Sequence, residues 1–102
     1  MNFEWDDEKN RQNRRKHGIS FEAAALVFED ERCAVRRDRV DKTGEQRWHA
    51  LGTARIEPGL AAVLLVVHVN REEINGEEII RIISARRAEK NELKRYQEQE
   101  ME

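Results

Sequence analysis

The 102-residue chain is poor in several residue types, with one cysteine, one proline and six aromatic residues. Cys33 stands alone, which excludes an internal disulfide and suits a reducing compartment. The longest apolar stretch, residues 60–69, is far shorter than the ~20 residues of a membrane-spanning helix. The acidic N-terminus also lacks the apolar segment of a secretory signal. We therefore expect a cytoplasmic protein without a membrane partner.

Motifs for metal or cofactor chemistry are missing as well. The histidines, His17, His49 and His68, have neither the HExxH nor the CxxC…HxxxH spacing of zinc sites. No glycine-rich phosphate-binding loop occurs. Cys33 has no histidine close to it in the sequence and is interpreted as a small buried apolar residue. The sequence thus predicts no metal and no cofactor, and it disfavours metalloenzymes and covalent hydrolases.

Charge is abundant but unevenly distributed. Charged residues make up 39% of the chain and the formal net charge is −2, which is unusual for a protein that binds nucleic acid. Residues 11–20 sum to +4 and residues 81–90 to +3, whereas residues 1–10 and residues 71–80 each sum to −3. Two basic blocks can focus a local positive field in an acidic protein. Solvated helix surface with i,i+4 partners explains the same blocks equally simply.

Hydrophobic periodicity predicts one α+β domain over residues 1–102, with two N-terminal helices, a four-stranded antiparallel sheet and a C-terminal helix. The stretch Leu60–Val69 is apolar on both faces and should lie at the centre of the sheet. In order, the elements are an extended segment at Asn2–Asp6, a polar helix ending at Gly18, a helix capped by Ser20, strands at Arg32–Arg37, Arg47–Thr53, Leu60–Val69 and Glu78–Ser84, turns at Asp41–Glu45 and Asn70–Glu77, and a helix from Ser84 to about residue 98.

The remaining polar residues, which are arginines, histidines and carboxylates, can cleave RNA without a metal. In that reaction the 2′-hydroxyl attacks its own phosphodiester, so the protein supplies only a base, an acid and cations for the phosphate. Arginine suits the cationic role because its planar fork contacts two phosphate oxygens. DNA lacks the 2′-hydroxyl and is not a substrate for this chemistry.

Each candidate residue also has a structural interpretation. Arg81 lies between isoleucines on a strand, where a salt bridge explains it as well as a phosphate contact does. Glu45 and Arg47 share a face if both belong to the strand, and an ion pair with a neighbouring strand explains them equally well. Arg86 and Arg87 open the predicted last helix, where the helix dipole disfavours cations.

The histidines divide in the same way. Lys16 and His17 end a helix, where positive charge is favourable without any further function. His49 and His68 lie on predicted strands, and we interpret them as sheet residues with satisfied hydrogen bonds rather than as catalytic groups.

Three stretches of the chain, in register, resemble the BrnT toxin family. The N-terminal half, FEWDDEKNRQNRRKHGISFEAAALVFED, is similar in its aromatic-Trp-Asp opening, its KHG turn and the SFEEA-like segment that follows. The middle carries GEQRW and VVHVN, and the C-terminal half carries IIRIISARRAEKNELKRY, which is similar to the family signature IRIISARxAxxxExxxY. The resemblance covers nearly the whole chain.

The resemblance implies a RelE/ParE-like fold, metal-independent RNA cleavage and growth arrest. It also implies neutralisation by a BrnA-like antitoxin with a ribbon-helix-helix domain, in a 2:2 complex that binds its own promoter. The matching positions predict catalytic roles for His17, Glu45, Arg47, Arg81, Arg86 and Tyr96, with the three arginines on phosphate and His17 or Glu45 in proton transfer. We assign RNA contacts to Arg14, Arg15, Lys16 and Arg87.

Two other classes of function remain open on sequence grounds. A RelE/ParE-like protein can block a macromolecular target without catalysis, or serve as a co-repressor with its antitoxin. A DNA-binding domain that uses the basic first helix is less consistent, because the apolar stripe of the second helix, Phe21, Ala24, Ala25 and Phe28, is committed to the core.

Overall fold

The computed structural model describes residues 1–73 and residues 75–100. Within them the chain forms a five-stranded sheet with helices on both faces. The elements are β1 (Asn2–Glu4), α1 (Asp7–His17), α2 (Phe21–Ala25), a 3-10 helix (Leu26–Glu29), β2 (Ala34–Val40), β3 (Gln46–Glu57), β4 (Leu60–Glu72), β5 (Glu78–Arg87) and α3 (Lys90–Glu100).

The sheet has the order β1-β5-β4-β3-β2, so the doubly apolar strand β4 lies at its centre, as predicted. Strands β2 to β5 pair antiparallel, again as predicted. The N-terminal segment adds a fifth strand that runs parallel to β5, with Glu4 opposite Arg81. The prediction of a four-stranded antiparallel sheet was therefore wrong in this respect. The sheet is mixed, and the expected RelE/ParE-like layout is matched only at the level of the α+β class.

Helix α1 has the predicted ends. The Asp6 side chain accepts a hydrogen bond from the Lys9 backbone, and Gly18 ends the helix with a φ of 74°. Its single buried residue is Asn13, whose amide donates to the carbonyl of Ala85 and accepts from the Ala85 N–H. Because β1 pairs only with the first part of β5, the outer edge of β5 is open at Ala85. Asn13 replaces the missing strand there and fixes α1 against the sheet.

The main core lies between the sheet and the α2 region. Phe21, capped into α2 by Ser20 as predicted, is fully buried. Gly52 of β3 faces the 3-10 helix, where an added Cβ would lie 2.8 Å from a methyl carbon of Val27 and 2.9 Å from its carbonyl oxygen. The absence of a side chain at Gly52 thus permits this close contact.

Strand β5 continues to Arg87, and α3 begins only at Lys90, so the prediction that Ser84 caps the last helix was wrong. Residues Leu64–Val67 of β4 pair with the predicted helix start, and this pairing overrides the capping signal. The register shifts at Ile83, which forms a β-bulge. The bulge explains why Ile82 and Ala85, an odd number of residues apart, both face the core.

The remaining strand predictions hold with shifted bounds. Strands β3 and β4 are longer than the periodicity indicated, because pairing continues into polar residues. The predicted turn at Asp41–Glu45 is present. The predicted turn at Asn70–Glu77 is shorter, since β4 extends to Glu72, and residue 74 lies outside the described residues.

Candidate functional site

One face of the sheet is only half covered. Helices α1 and α2 lie against the main core, whereas α3 lies on the other face, where Tyr96 contacts Leu51 and Leu65. Side chains alternate along a strand, so the next residues on this face can be read from the pairing register. Beyond α3 they are Arg47, His49, Val67, Arg81 and Ser84, and we name these five residues the open face.

Two arginines of the open face flank Val69. Arg81 pairs with Val69 across β5 and β4, and Arg47 lies on the other side of Val69, because its neighbour Trp48 pairs with His68. Strands lie about 4.8 Å apart, so the two arginine Cα atoms are separated by roughly 10 Å. Val69 itself is buried, with 1% of its surface exposed, so an anion within reach of both guanidinium groups lies on the outer side of these side chains.

Arg81 has an acidic neighbour on strand β1. Its Nη1 lies 3.7 Å from Oε1 of Glu4, and Nη2 of Arg71 lies 3.1 Å from the same oxygen. The salt bridge that the sequence left open is therefore present. It is long, the Arg81 side chain is 37% exposed, and exposed pairs of this kind are worth at most about 1 kcal/mol. Arg81 can turn to an anion while Arg71 keeps Glu4 paired.

Arg47 is held by the turn that precedes it. Its Nε lies 3.4 Å from Oδ2 of Asp41, whose other oxygen accepts from the backbone of Thr43 and Glu45. These bonds, with that from the Thr43 hydroxyl the strongest, lower the pKa of Asp41 to about 2. Glu45 is exposed in the turn, ahead of the first residue of β3, so the predicted shared strand face of Glu45 and Arg47 does not form.

His49 lies two residues after Arg47 on the same face. It pairs with Val67 on one side and with Arg36 on the other. Nε2 of its ring lies 3.1 Å from Oδ2 of Asp38, and the two side chains are about equally exposed, at 30% and 31%. The sequence left His49 as a satisfied sheet residue, whereas the structure puts it on the open face beside Arg47, with Arg36 opposite it on β2.

Helix α1 borders the open face through a cavity of about 270 Å³. Lys16 and His17 are exposed there, at the C-terminal end of the helix, where the helix dipole also favours their charge. The structure therefore brings these two predicted residues to the edge of the open face, next to Ser84. The cavity is lined by Lys9, Gln12, Asn13, Lys16, His17, Ile83 and Ser84.

Arg14 and Arg15 lie on the opposite side of α1. They line a separate cavity of about 420 Å³ together with Arg11 and Gly18. Residues of an α-helix rotate by 100° each, which turns these arginines away from Lys16 and Ser84. The structure does not bring the predicted RNA contacts of Arg14 and Arg15 to the open face.

Arg86 connects β5 to α3. Its Nη1 and Nη2 donate to the two carboxylate oxygens of Glu92 at 2.8 and 2.9 Å, and Nη1 also donates to the Arg87 carbonyl. The Glu92 bond raises the pKa of Arg86 and lowers that of Glu92. Because both terminal nitrogens are engaged, the geometry favours a structural role over the predicted phosphate contact. The prediction that Arg86 and Arg87 open the last helix was wrong, since both end β5.

Tyr96 is buried, with 5% of its surface exposed. Its hydroxyl donates to Oδ2 of Asp30 and lies 3.0 Å from Oγ1 of Thr53. The same Asp30 oxygen accepts from the Thr53 backbone N–H, and although burial opposes it, these hydrogen bonds lower the pKa of Asp30. The arrangement favours Tyr96 as a residue that fixes α3, rather than the catalytic group predicted from the resemblance.

His68 belongs to the opposite, core face. It is 1% exposed, its ring meets that of Phe28 edge-on at 5.0 Å, and neither ring nitrogen makes a hydrogen bond within the described residues. Burial lowers the pKa of His68 to about 4, although Asn70 opposes part of the shift. His68 is thus a neutral buried residue, as expected of a sheet histidine, but its nitrogens are not satisfied.

Other candidate chemistry is sparse across residues 1–73 and 75–100. No cluster of three or more His, Cys, Asp or Glu side chains in this part of the chain could hold a metal ion. None of its helices is long and apolar enough to cross a membrane. Burial raises the pKa of Cys33 to about 11, which keeps it a thiol, consistent with its interpretation as an apolar residue.

Sequence reasoning missed two features of this site. The first is the pairing of His49 with Asp38, which joins two strands and cannot be read from either one. The alternation rule could have placed His49 with Arg47, because two residues separate them. The second is Asn13, whose fixing role depends on an open strand edge contributed by residues more than 70 positions away.

A family model described as a ribonuclease toxin, BrnT, of type II toxin–antitoxin systems matches residues 5–92 of the 102-residue chain. The match extends from Trp5 to the first turn of α3 and includes every residue of the open face. Tyr96 lies beyond its end. No curated protein matches the chain.

Proposed function

Since the chain belongs to the BrnT family of ribonuclease toxins from type II toxin–antitoxin systems, we propose that it is a metal-independent endoribonuclease. It cleaves RNA by attack of the 2′-hydroxyl on the adjacent phosphodiester, and so inhibits translation and growth. We place its action in the cytoplasm, where the RNA substrate is found.

The observation that carries this proposal is the pair of arginines on the open face. Arg47 and Arg81 flank the buried Val69 from two strands, and each is tied to a carboxylate by a single contact, at 3.4 Å and 3.7 Å, rather than by a bidentate ion pair. A rigid sheet can hold two guanidinium groups in place before the substrate arrives, which is the condition for stabilising a pentacoordinate phosphate.

The other predicted residues divide into two groups in this proposal. Lys16 and His17 border the open face through the cavity beside Ser84 and are suited to bind the RNA chain or to exchange a proton. Arg86 and Tyr96 hold α3 in place, and Glu45, which is exposed in the turn before β3, can approach the site only from its rim. Arg14, Arg15 and Arg87 extend the basic surface for non-specific contacts with phosphate.

The family also implies an antitoxin partner. We propose a BrnA-like antitoxin with a ribbon-helix-helix domain, in a 2:2 complex that binds promoter DNA through the antitoxin. Size-exclusion chromatography with light scattering on the co-expressed pair tests the stoichiometry. A 1:1 complex would contradict this part of the proposal alone.

A cleavage assay tests the catalytic part. Purified protein is incubated with single-stranded RNA and with the same sequence in 2′-deoxy form, both in EDTA. We expect cleavage of RNA only, with 2′,3′-cyclic phosphate ends. Loss of cleavage in EDTA, or equal cleavage of the 2′-deoxy strand, would contradict the mechanism.

Matched arginine variants locate the site. Arg47→Ala should lower the cleavage rate by about 100-fold or more, as expected for removal of a donor to the transition-state charge. Arg55→Ala is the control, because Arg55 is exposed on the same strand but pairs with Ala61 at its far end, away from the open face. A folded protein that arrests no growth and cuts no RNA, but still binds its antitoxin, would favour the non-catalytic alternative, a RelE/ParE-like module that blocks a target or acts as co-repressor.

A further inference from the structure

The three histidines differ in what surrounds their rings. His68 is buried on the core face, without a hydrogen bond to its nitrogens among the described residues. His17 is exposed at the end of α1, where no acidic side chain of the described residues pairs with it. His49 alone combines an acidic partner with exposure on the open face.

The acidic partner selects one tautomer of the His49 ring. The negative charge of Asp38, 3.1 Å from Nε2, repels a lone pair on that nitrogen and so favours the proton there. The lone pair then resides on Nδ1, which makes no hydrogen bond to any residue that the structure describes. An oriented ring with a free lone pair is the form of histidine that accepts a proton from a hydroxyl group.

The position of His49 relative to the arginines is set by the sheet. His49 and Arg47 are two residues apart on β3, which separates their Cα atoms by about 6.8 Å. Val67, the neighbour of His49 on β4, is half-buried and carries no polar group that could bind the His49 ring. A phosphate held between Arg47 and Arg81 therefore has its ribose within reach of the His49 ring.

We propose that His49 is the catalytic base of the open face and that Asp38 is its positioning residue. This inference rests on the ribonuclease function proposed above and replaces His17 or Glu45 in the proton transfer.

The proposed step is balanced within the RNA and solvent. His49 Nδ1 takes the proton of the 2′-hydroxyl as O2′ forms its bond to phosphorus and the bond from phosphorus to O5′ breaks. The leaving O5′ takes a proton from water, and the His49 imidazolium returns its proton to the resulting hydroxide. The products are a 2′,3′-cyclic phosphate and a 5′-hydroxyl, and Arg47 and Arg81 stabilise the charge on the phosphate oxygens.

An ordinary surface ion pair between β2 and β3 is the competing explanation. It predicts that loss of His49 changes stability slightly and chemistry not at all. The test therefore compares His49→Gln and Asp38→Asn with His17→Gln, the variant of the rival proton-transfer residue. Arg55→Ala is the matched control, and folding is checked by thermal unfolding. The full chain and a single-stranded RNA substrate are used, and kcat and KM are measured from pH 5 to pH 8.

We expect His49→Gln to lower kcat by 10²–10⁴-fold, the usual contribution of a general base, with little change in KM. Asp38→Asn should lower kcat by a smaller factor and change the pH profile, since it removes the negative charge beside Nε2. The charged groups beside His49 in the pairing register are Asp38 and Arg36 on β2 and Arg47 on β3. Arg81 lies two strands away on β5, and His68 lies on the other face. None of these arginines is changed in the His49 and Asp38 variants.

A second measurement does not depend on turnover. The ¹⁵N shifts of the His49 ring in the wild-type protein should report a proton on Nε2, and the Nδ1 signal should move when a non-cleavable 2′-deoxy dinucleotide is added. An Nδ1 chemical shift that does not change when the dinucleotide is added would overturn the inference, even if a variant failed to fold.

The outcomes distinguish failure of the ribonuclease function from failure of the role of His49. Wild-type cleavage together with His49→Gln at the wild-type rate would overturn the role of His49 and leave the ribonuclease proposal intact. Absence of cleavage by the wild-type protein would overturn both. Loss of activity in His17→Gln but not in His49→Gln would return the proton transfer to the α1 side of the open face.

Discussion

The two faces of the sheet are built on different physical terms. The core face is closed by α2 and the 3-10 helix, which bury a cluster of apolar side chains with the ring of His68 beside it. The open face is covered only at one end, by α3, and elsewhere presents arginines, His49 and their carboxylate partners. Both faces are made by the same strands, so alternate residues of each strand serve the core face and the open face.

The difference between the faces separates residues that stabilise the fold from residues that we expect to act on a substrate. Contacts on the core face depend on shape and burial, so changes there should cost folding free energy. Contacts on the open face are partly exposed ion pairs, each of which should contribute little to the free energy of unfolding. Changes there should lower activity instead. The pairing register keeps the two apart, because a shift of one residue would exchange the faces.

The largest expected effect on stability belongs to the core face. Phe21→Ala should lower the free energy of unfolding by about 3–5 kcal/mol, because the ring is fully buried and its removal leaves a cavity. Arg81→Met on the open face should change it by no more than about 0.5 kcal/mol. Urea unfolding of both variants measures this difference. Equal losses of unfolding free energy in the two variants would contradict the separate roles of the two faces.

A substitution of Asn13 tests the open edge of β5 at Ala85. Asn13→Ala should lower the free energy of unfolding by about 2–3 kcal/mol, because it leaves the buried N–H and carbonyl of Ala85 without partners. The neighbouring Gln12→Ala is the control, since Gln12 is exposed. Hydrogen exchange at the Ala85 amide gives a second reading. Unchanged protection of that amide in Asn13→Ala would show that the side chain does not replace a strand.

His68 gives the smallest of the three effects and is confined to acid. Its pKa of about 4 in the folded protein lies below the value of about 6.5 in the unfolded chain, so the unfolded state binds the extra proton first. Stability is thus full above pH 6.5 and is lost as the pH falls from there towards 4. Between pH 7 and pH 5 the loss should be about 2 kcal/mol.

In His68→Leu, the loss of unfolding free energy between pH 7 and pH 5 that is due to His68 should disappear. The control variant, His17→Leu, should retain it. Chemical unfolding at pH 7 and pH 5 provides the measurement. A His68→Leu protein as sensitive to acid as the wild type would assign the titration to another group.

Much of the fold was predictable because its signals are local. The capping residues Asp6 and Ser20, the stop at Gly18 and the apolar strand β4 each act within one element. The features that were missed depend on pairing between distant segments. Strand β1 is three residues long and becomes a strand only against β5, and Ser84 is kept from capping a helix by its pairing with β4.

The candidate site divides along the same line. The sequence and the resemblance indicated Arg47, Arg81, Lys16 and His17, which the structure brings to the open face or its border. They also indicated Arg86, which Glu92 occupies, and Tyr96, which is buried against Asp30. Residue type and spacing cannot tell a free guanidinium from an occupied one, because the partner is chosen by the folded chain.

The parallel pairing of β1 with β5 has a consequence for synthesis. Residues 2–4 emerge from the ribosome more than 70 residues before their partners, residues 79–81. The same holds for Asn13 and Ala85. Nascent chains fold from the N-terminus as they emerge, but this sheet edge stays unfinished until residues 79–85 are available. A product that stops before β5 therefore lacks both Arg81 and the strand that holds Glu4 beside it, and each molecule gains its arginine pair only after β5 has been made.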